Sequence, residues 1–287
     1  MNKSLIILNP AAKGARARKL QAKVASLSSQ TELRITHSIG DARKIARSAV
    51  EEGFDAVIAA GGDGTINEVV NGIAGSQVRL GILPVGTMNV FAQEIGIPLG
   101  NLEKAWDVIE RGACVDVDLP LANDRHFIQL AGVGLDAEVV RKTTIDFKNA
   151  LGPLSYLLTL VQVVSVQPPR VFVEPKGMLS CEGCFVLIGN GRNYGGPFPL
   201  FKRASLYDGL LDVVVFKNQS HWDVVRYFQA IAFGTHPNLP DVDYFQTEAL
   251  KIHSAGEVPM ELDGESAGIL PCDFSVSSFK LRVFAPC

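Results

Sequence analysis

Two loops of the chain carry residue types suited to holding a phosphate. Gly61-Gly62-Asp63-Gly64-Thr65-Ile66-Asn67-Glu68 follows the apolar run Asp55 to Ala60 and precedes Thr65 to Ala74, whose apolar residues recur at helical spacing. This predicts a strand, a glycine loop and a helix start. Glycines let the backbone approach a ligand with no Cβ in the way. A helix amino end adds unpaired N–H groups and a partial positive charge, so the loop suits a phosphate. The structural alternative is a tight turn with Asp63 as the helix cap. A second loop, Pro84-Val85-Gly86-Thr87-Met88-Asn89, again follows a strand-like run, Arg79 to Leu83, and again opens a helical segment. In an open parallel sheet, ligands gather at the carboxyl ends of neighbouring strands, so the two loops can face one nucleotide. Phosphoryl transfer also needs a divalent cation and a base for the incoming hydroxyl. Glu261-Leu262-Asp263-Gly264-Glu265 is the best segment for that base, because Asp263 and Glu265, two apart, point to one side of an extended chain. An acidic turn is the alternative.

The elements that must position these residues fall into two patterns. Ser4 to Leu8, a basic helix from about Ala15 to Leu27, Glu32 to Thr36, Gly40 to Glu52 and Asp55 to Ala60 alternate strand and helix, as in an α/β layer with a parallel sheet. Leu102, Ala105, Trp106 and Ile109 continue the helical period, with Gly112 as terminator. From about Val115 the chain turns to short extended runs, including Phe127 to Ala131, Arg170 to Glu174, Phe185 to Ile188, Leu211 to Phe216, Leu250 to His253 and Phe279 to Phe284. Turn residues separate them, as in an antiparallel sheet or sandwich. The expected domains are a Rossmann-like parallel α/β domain over 1–122 and a β-rich sandwich domain over 123–287.

Composition excludes several classes. The 287 residues are 47% hydrophobic and 20% charged, ample for a large core. A net charge of −3 gives no electrostatic reason for nucleic acid as a partner. No apolar stretch reaches the roughly 20 residues that span a bilayer, and the amino end has no cleavable signal pattern, so the expected compartment is the cytoplasm. Five cysteines argue against a disulfide framework, and Cys181 with Cys184 lacks the second ligand pair that zinc requires. Gly132-Val133-Gly134-Leu135-Asp136-Ala137 matches a dinucleotide fingerprint. No strand follows that ends in an acidic residue about 20 positions on, so a bend between elements or part of a cleft wall is the better reading.

With these residues on the page, the chain resembles the diacylglycerol kinase catalytic domain family, shared by bacterial lipid kinases and, more remotely, by sphingosine and ceramide kinases. Asn9-Pro10, Gly61 through Asn67, Pro84 through Asn89, Asn190 through Gly196, Asp208-Gly209 with Leu211-Asp212, and Asp263-Gly264-Glu265 carry the resemblance in family order. It implies an ATP- and Mg2+-dependent transfer of the γ-phosphoryl group to a lipid hydroxyl at the membrane surface, in a cleft between the two domains. Diacylglycerol, giving phosphatidic acid, is the leading acceptor. The resemblance makes Asp263 the general base and Asp63 and Glu265 participants in Mg-ATP binding. It makes Gly61, Gly62, Gly64, Thr65, Ile66, Asn67, Thr87 and, more weakly, Thr36 nucleotide contacts. Ser205, Asp208 and Leu210 match a structural magnesium loop. Two positions depart from the family: Tyr207 stands where an acid is frequent, and Val90 where many members have aspartate. The alternatives are an NAD kinase-like phosphotransferase and a non-catalytic nucleotide or lipid sensor. The oligomeric state stays open, a homodimer included.

A lipid kinase must reach a bilayer, and two segments invite that role. Leu154 to Val166 forms an apolar helix with a narrow polar stripe, but lacks the Lys and Arg of interfacial helices, so a core helix is favoured. Lys13, Arg16, Arg18, Lys19 and Lys23 make the better electrostatic candidate for anionic headgroups or ATP, against a default of a solvated helix face.

Overall fold

The computed structural model describes residues 3–10, 22–24, 26–27, 31–142, 169–194 and 198–286. The apolar helix over 154–166, Gly195-Gly196 and all but Lys23 of the basic run lie outside the described residues. The chain forms two compact units, one of Met1–Leu119 with Ser277–Cys287, the other of Pro120–Val276.

The first unit alternates as its pattern predicts: β1 (Ser4–Leu8), β2 (Glu32–Ile35), α1 (Asp41–Glu51), β3 (Ala56–Gly61), α2 (Asp63–Ile73), β4 (Arg79–Pro84), the short α3 (Val90–Glu94) and α4 (Leu102–Arg111). The strands pair in parallel in the order β2-β1-β3-β4. β3 is buried along its whole length, the mark of a strand covered on both faces. Gly72 lets α2 approach α1 closely: a Cβ there would lie 2.6 Å from Ala46 Cβ and from the Arg43 carbonyl oxygen. Gly112 ends α4 at φ 75°, the left-handed stop its glycine permits.

β5 (Cys114–Ala122) carries the chain into the second unit. There follow β6 (Arg125–His126), β7 (Leu130–Val133), α5 (Leu135–Lys142), β8 (Val171–Pro175), β9 (Cys181–Gly183), β10 (Phe185–Gly189), β11 (Asn193–Tyr194), β12 (Phe198–Pro199) and β13 (Leu211–Phe216). Then come α6 (His221–Ala232), β14 (Val242–Thr247), β15 (Ala249–Ser254), β16 (Pro259–Leu262), β17 (Glu265–Ile269) and β18 (Cys272–Phe284). One antiparallel sheet runs β14-β13-β10-β7-β16-β17, and the amino-terminal part of β18 joins β15, β8 and β9 in another. Val213 and Val215 of β13 face a core shared with Val173 of β8, Ile252 of β15 and Phe274 of β18, so the two sheets form a sandwich. Val214 and Phe216 point the other way and pack against Val224 and Tyr227 of α6. The carboxyl-terminal part of β18 lies in the first unit, where Val283 pairs with Leu80 of β4 in parallel.

Candidate active site

In the first unit the predicted nucleotide residues collect at the carboxyl ends of the parallel strands. Asn9 follows β1, Thr36 follows β2, Gly62 follows β3 and Val85 follows β4. The chain goes from β1 to β2 on one side and to β3 on the other, so Asn9 and Gly62 flank the point where the strand order reverses, the usual ligand position in such sheets. Asn9 Nδ2 donates to Thr65 Oγ1 at 2.9 Å and ties the ends of β1 and β3 together. Thr36 N donates to the Leu8 carbonyl at 2.9 Å.

The two glycine loops touch. A Cβ on Gly86 would lie 2.4 Å from Gly62 Cα, and one on Gly62 would lie 3.2 Å from Gly86 Cα. The glycines therefore serve contact between the loops first, a requirement sequence reading had assigned to the ligand. Gly61 is also needed within its own loop, because its Cβ would meet the Thr65 side chain at 2.4 Å. Asn89, at φ 49°, closes the second loop by accepting from Gly86 N at 3.1 Å and donating to the Gly86 carbonyl at 2.8 Å.

Gly62 is the cap of α2 and no side chain caps it. The first α2 amide bonded to a helix carbonyl is Ile66 N, to that of Gly62 at 3.1 Å, so the helix start presents the amides of Gly64 and Thr65, while the Asp63 N–H faces its own carboxylate. Asp63 does not cap its own helix. Its carboxylate faces the N–H groups of Phe91, Val90 and Asn89 at the start of α3. Burial pushes that carboxyl above its usual value, and those three amides, with the Asp63 N–H itself, oppose the rise. Ile66 and Asn67 are buried, Ile66 completely, while Thr87 is exposed. The Glu68 carboxylate, whose role no local pattern shows, accepts from Gly40 N at 2.8 Å and Ala42 N at 3.0 Å and so closes the amino end of α1. The amino end of α2 has no such side-chain cap, which suits an anion.

In the second unit Leu262 and Glu265 pair across a two-residue turn, with Asp263 at φ 50° and Gly264 at φ 82°. Asp-Gly is the sequence such a tight hairpin demands. The turn corrects the extended-chain expectation, because the two carboxylates diverge. Asp263 accepts from Ile128 N at 2.7 Å, Gln129 N at 2.9 Å and Leu130 N at 3.0 Å. Glu265 pairs with Arg125 at 2.7 Å. Asn190 Nδ2 donates to the Ile128 carbonyl at 2.9 Å, steadying the segment that holds Asp263.

Beneath this turn lies a pair of acids that sequence reading missed. Asp136 and Glu261 are hydrogen-bonded to each other, and burial first, then each other's charge for Glu261, pushes both carboxyls upward, Glu261 furthest. Tyr194 donates its hydroxyl to Asp136, and Gly264 N donates to Glu261 Oε2 at 2.6 Å. The glycine of the apparent dinucleotide fingerprint makes the room: a Cβ on Gly132 would lie 2.5 Å from Asp136 Oδ2 and 2.8 Å from Glu261 Oε1. Gly134, at φ 87°, is the bend from β7 into α5.

At the expected magnesium loop, Asp208 Oδ1 accepts from Leu210 N at 3.0 Å and Ser205 Oγ from Tyr207 N at 3.3 Å. Carboxylate, hydroxyl and carbonyl oxygens fit the hard-donor preference of magnesium. Asp208 is the loop's one acid. Among the described residues no group of three or more His, Cys, Asp or Glu could hold a metal ion.

The family profile of the diacylglycerol kinase catalytic domain matches residues 3–121, and that of the YegS C-terminal NAD kinase beta sandwich-like domain matches 130–285. A diacylglycerol kinase of Bacillus subtilis (strain 168) is 34% identical over 282 residues, covering 96% of this chain and 93% of that protein. A diacylglycerol kinase of Staphylococcus aureus (strain bovine RF122 / ET3-1) is 32% identical over 261 residues, covering 90% and 82%. A crystal structure assigned as a diacylglycerol kinase from Bacillus anthracis (strain Sterne) superposes with a TM-score of 0.83 at 27% identity, covering 99% of this chain and 95% of that one.

Proposed function

We propose, for a chain that belongs to the diacylglycerol kinase catalytic domain family and is a lipid kinase, that the acceptor is the free hydroxyl of diacylglycerol and the donor is ATP. The observation that carries the donor half is the contact of Gly62 with Gly86, which sets two strand-end loops side by side at the amino end of α2. The Gly64 and Thr65 amides would donate to phosphate oxygens there. Thr36 and the exposed Thr87 would border the nucleotide.

The acceptor half rests on Asp263, whose carboxylate three amides hold in one orientation. Asp263 takes the hydroxyl proton as the acceptor oxygen bonds to the γ-phosphorus; the bond from that phosphorus to its bridging oxygen breaks, and ADP leaves with the electron pair. Mg2+, when bound, would offset phosphate charge, with Glu265 and Asp63 its candidate protein partners by resemblance. Asp208, with oxygens of Ser205 and Leu210, would hold a second, structural ion. The acceptor is a bilayer lipid, so the enzyme works at a membrane surface on the cytoplasmic side, where ATP is found. Among the described residues no helix is long and apolar enough to cross a membrane.

Transfer of label from γ-labelled ATP with Mg2+ tests this, using mixed micelles of diacylglycerol, phosphatidylglycerol and a sphingoid base, with NAD in parallel. Labelled phosphatidic acid is the expected product. Labelled NAD would replace the reading with the NAD kinase alternative, and ATP binding without any labelled product would favour the sensor.

A further inference from the structure

Helix α6 is apolar on two faces. Val224, Tyr227 and Ala230 are buried against the second sheet, as its fold requires. The opposite face carries Trp222, 83% exposed, Val225 and Phe228, each 48% exposed, and Phe233 just beyond the helix end, 82% exposed. No stacking of Trp222, Phe228 or Phe233 on another ring occurs among the described residues. The charged side chains of α6 are Asp223 and Arg226, and they neutralise each other at 3.1 Å, with Asp241 the second partner of Arg226. Buried on one face, the helix also turns a row of large apolar side chains outward, beside the exposed His221 and Gln229, and large exposed apolar patches mark binding surfaces.

We infer that the outer face of α6 is where this lipid kinase docks on a bilayer, with Trp222, Val225, Phe228 and Phe233 entering the interface. Two observations select a bilayer over a protein. Three aromatics and a valine at these exposures offer on the order of 500 Å2. A stable protein interface needs about 800 Å2 on each side. Lipid needs no complementary shape, and Trp and Phe suit its headgroup boundary. A basic group also flanks the patch: Lys202 is exposed, and a Cβ on Gly234, next to Phe233, would lie 2.8 Å from its Nζ. Anionic headgroups complement that flank. The inference rests on the lipid kinase reading, since such an enzyme must meet its acceptor in a membrane, and it places the contact on neither segment that the sequence suggested.

The test reads binding apart from catalysis. The protein has two tryptophans, and Trp106 is buried, so a change in emission on adding vesicles reports Trp222. Phosphatidylglycerol vesicles should blue-shift the emission and sediment the protein, phosphatidylcholine vesicles less so. Phe228→Gln with Phe233→Gln should lower the partition coefficient at least tenfold while turnover on a detergent-dispersed short-chain diacylglycerol stays within twofold. Trp222→Gln, followed by sedimentation alone, should act alike. Vesicle binding unchanged in these variants, or absent in the parent, overturns the inference, as does conversion of a dimer to a monomer with vesicle binding retained. If no lipid is phosphorylated while binding still depends on Trp222 and Phe233, the docking face stands and the kinase assignment fails.

Discussion

Asp263 and Leu130 hold each other twice: Asp263 N donates to the Leu130 carbonyl at 2.9 Å, and Leu130 N donates to Asp263 Oδ1 at 3.0 Å. A reciprocal pair of this kind fixes both the turn and the carboxylate it carries. Ile128 N and Gln129 N complete the cradle, so both carboxylate oxygens accept from backbone amides. An asparagine there has one acceptor oxygen and turns an NH2 group toward an amide N–H.

Asp263→Asn should therefore lose function and some stability together. Turnover of diacylglycerol should fall at least a hundredfold, and the lost amide bonds should cost about 1–3 kcal/mol. ATP binding, proposed for loops of the first unit, should survive within about threefold, as calorimetry can check. A melting curve run beside the assay separates the effects: near-normal turnover in a folded variant removes Asp263 from the reaction.

Gly86→Ala tests the loop contact. The new methyl group would press on backbone at 2.4 Å, which no side-chain rotation relieves, whereas Gly62→Ala meets the same neighbour at 3.2 Å. ATP affinity should fall about tenfold or more in Gly86→Ala and less in Gly62→Ala. Equal affinity in the parent and Gly86→Ala would show that the loops do not bind the nucleotide.

The buried acids predict how stability changes with pH. Both carboxyls sit above their unfolded values, so the unfolded chain releases protons that the folded chain still keeps. Their contribution is fully present below the unfolded values, near pH 4, and is lost as pH rises through the folded ones. Glu261→Gln keeps an oxygen for Gly264 N, can donate to Asp136 and removes the group that rises most. Its melting temperature should match the parent near pH 5 and exceed it by a few degrees near pH 8; parallel curves across that range would exclude a protonated pair.

Asp208 gives a test that needs no substrate. If its loop holds Mg2+, saturating Mg2+ should raise the parent's melting temperature, by about 2.7 kcal/mol of stability at a hundredfold excess over Kd. Asp208→Asn should abolish the rise. No Mg2+ dependence in the parent would leave the loop a turn held by the bond from Leu210 N to Asp208.

By itself the sequence determined what local periodicity and turn chemistry encode. Ser4–Leu8 and Leu211–Phe216 are the strands their apolar runs predict, Gly112 ends its helix, and Gly61-Gly62 leads from a strand into a helix start. Helix α6 was also within reach, because Ser220 and Asp223 form a reciprocal cap and Val224, Tyr227 and Ala230 recur every three residues. Tertiary structure alone decided the partners. Asp63 turns to α3 instead of its own helix, Glu68 closes α1, and Glu261 meets Asp136 across 125 positions of chain. The last strand returns to pair with β4, joining Val283 to Leu80. The physical reason is that a side chain's type and period fix which way it points, whereas sheet order and register fix what it meets there. Asp263 shows both: Asp-Gly marks the turn, and only the register of β7 beside β16 brings Leu130 to it.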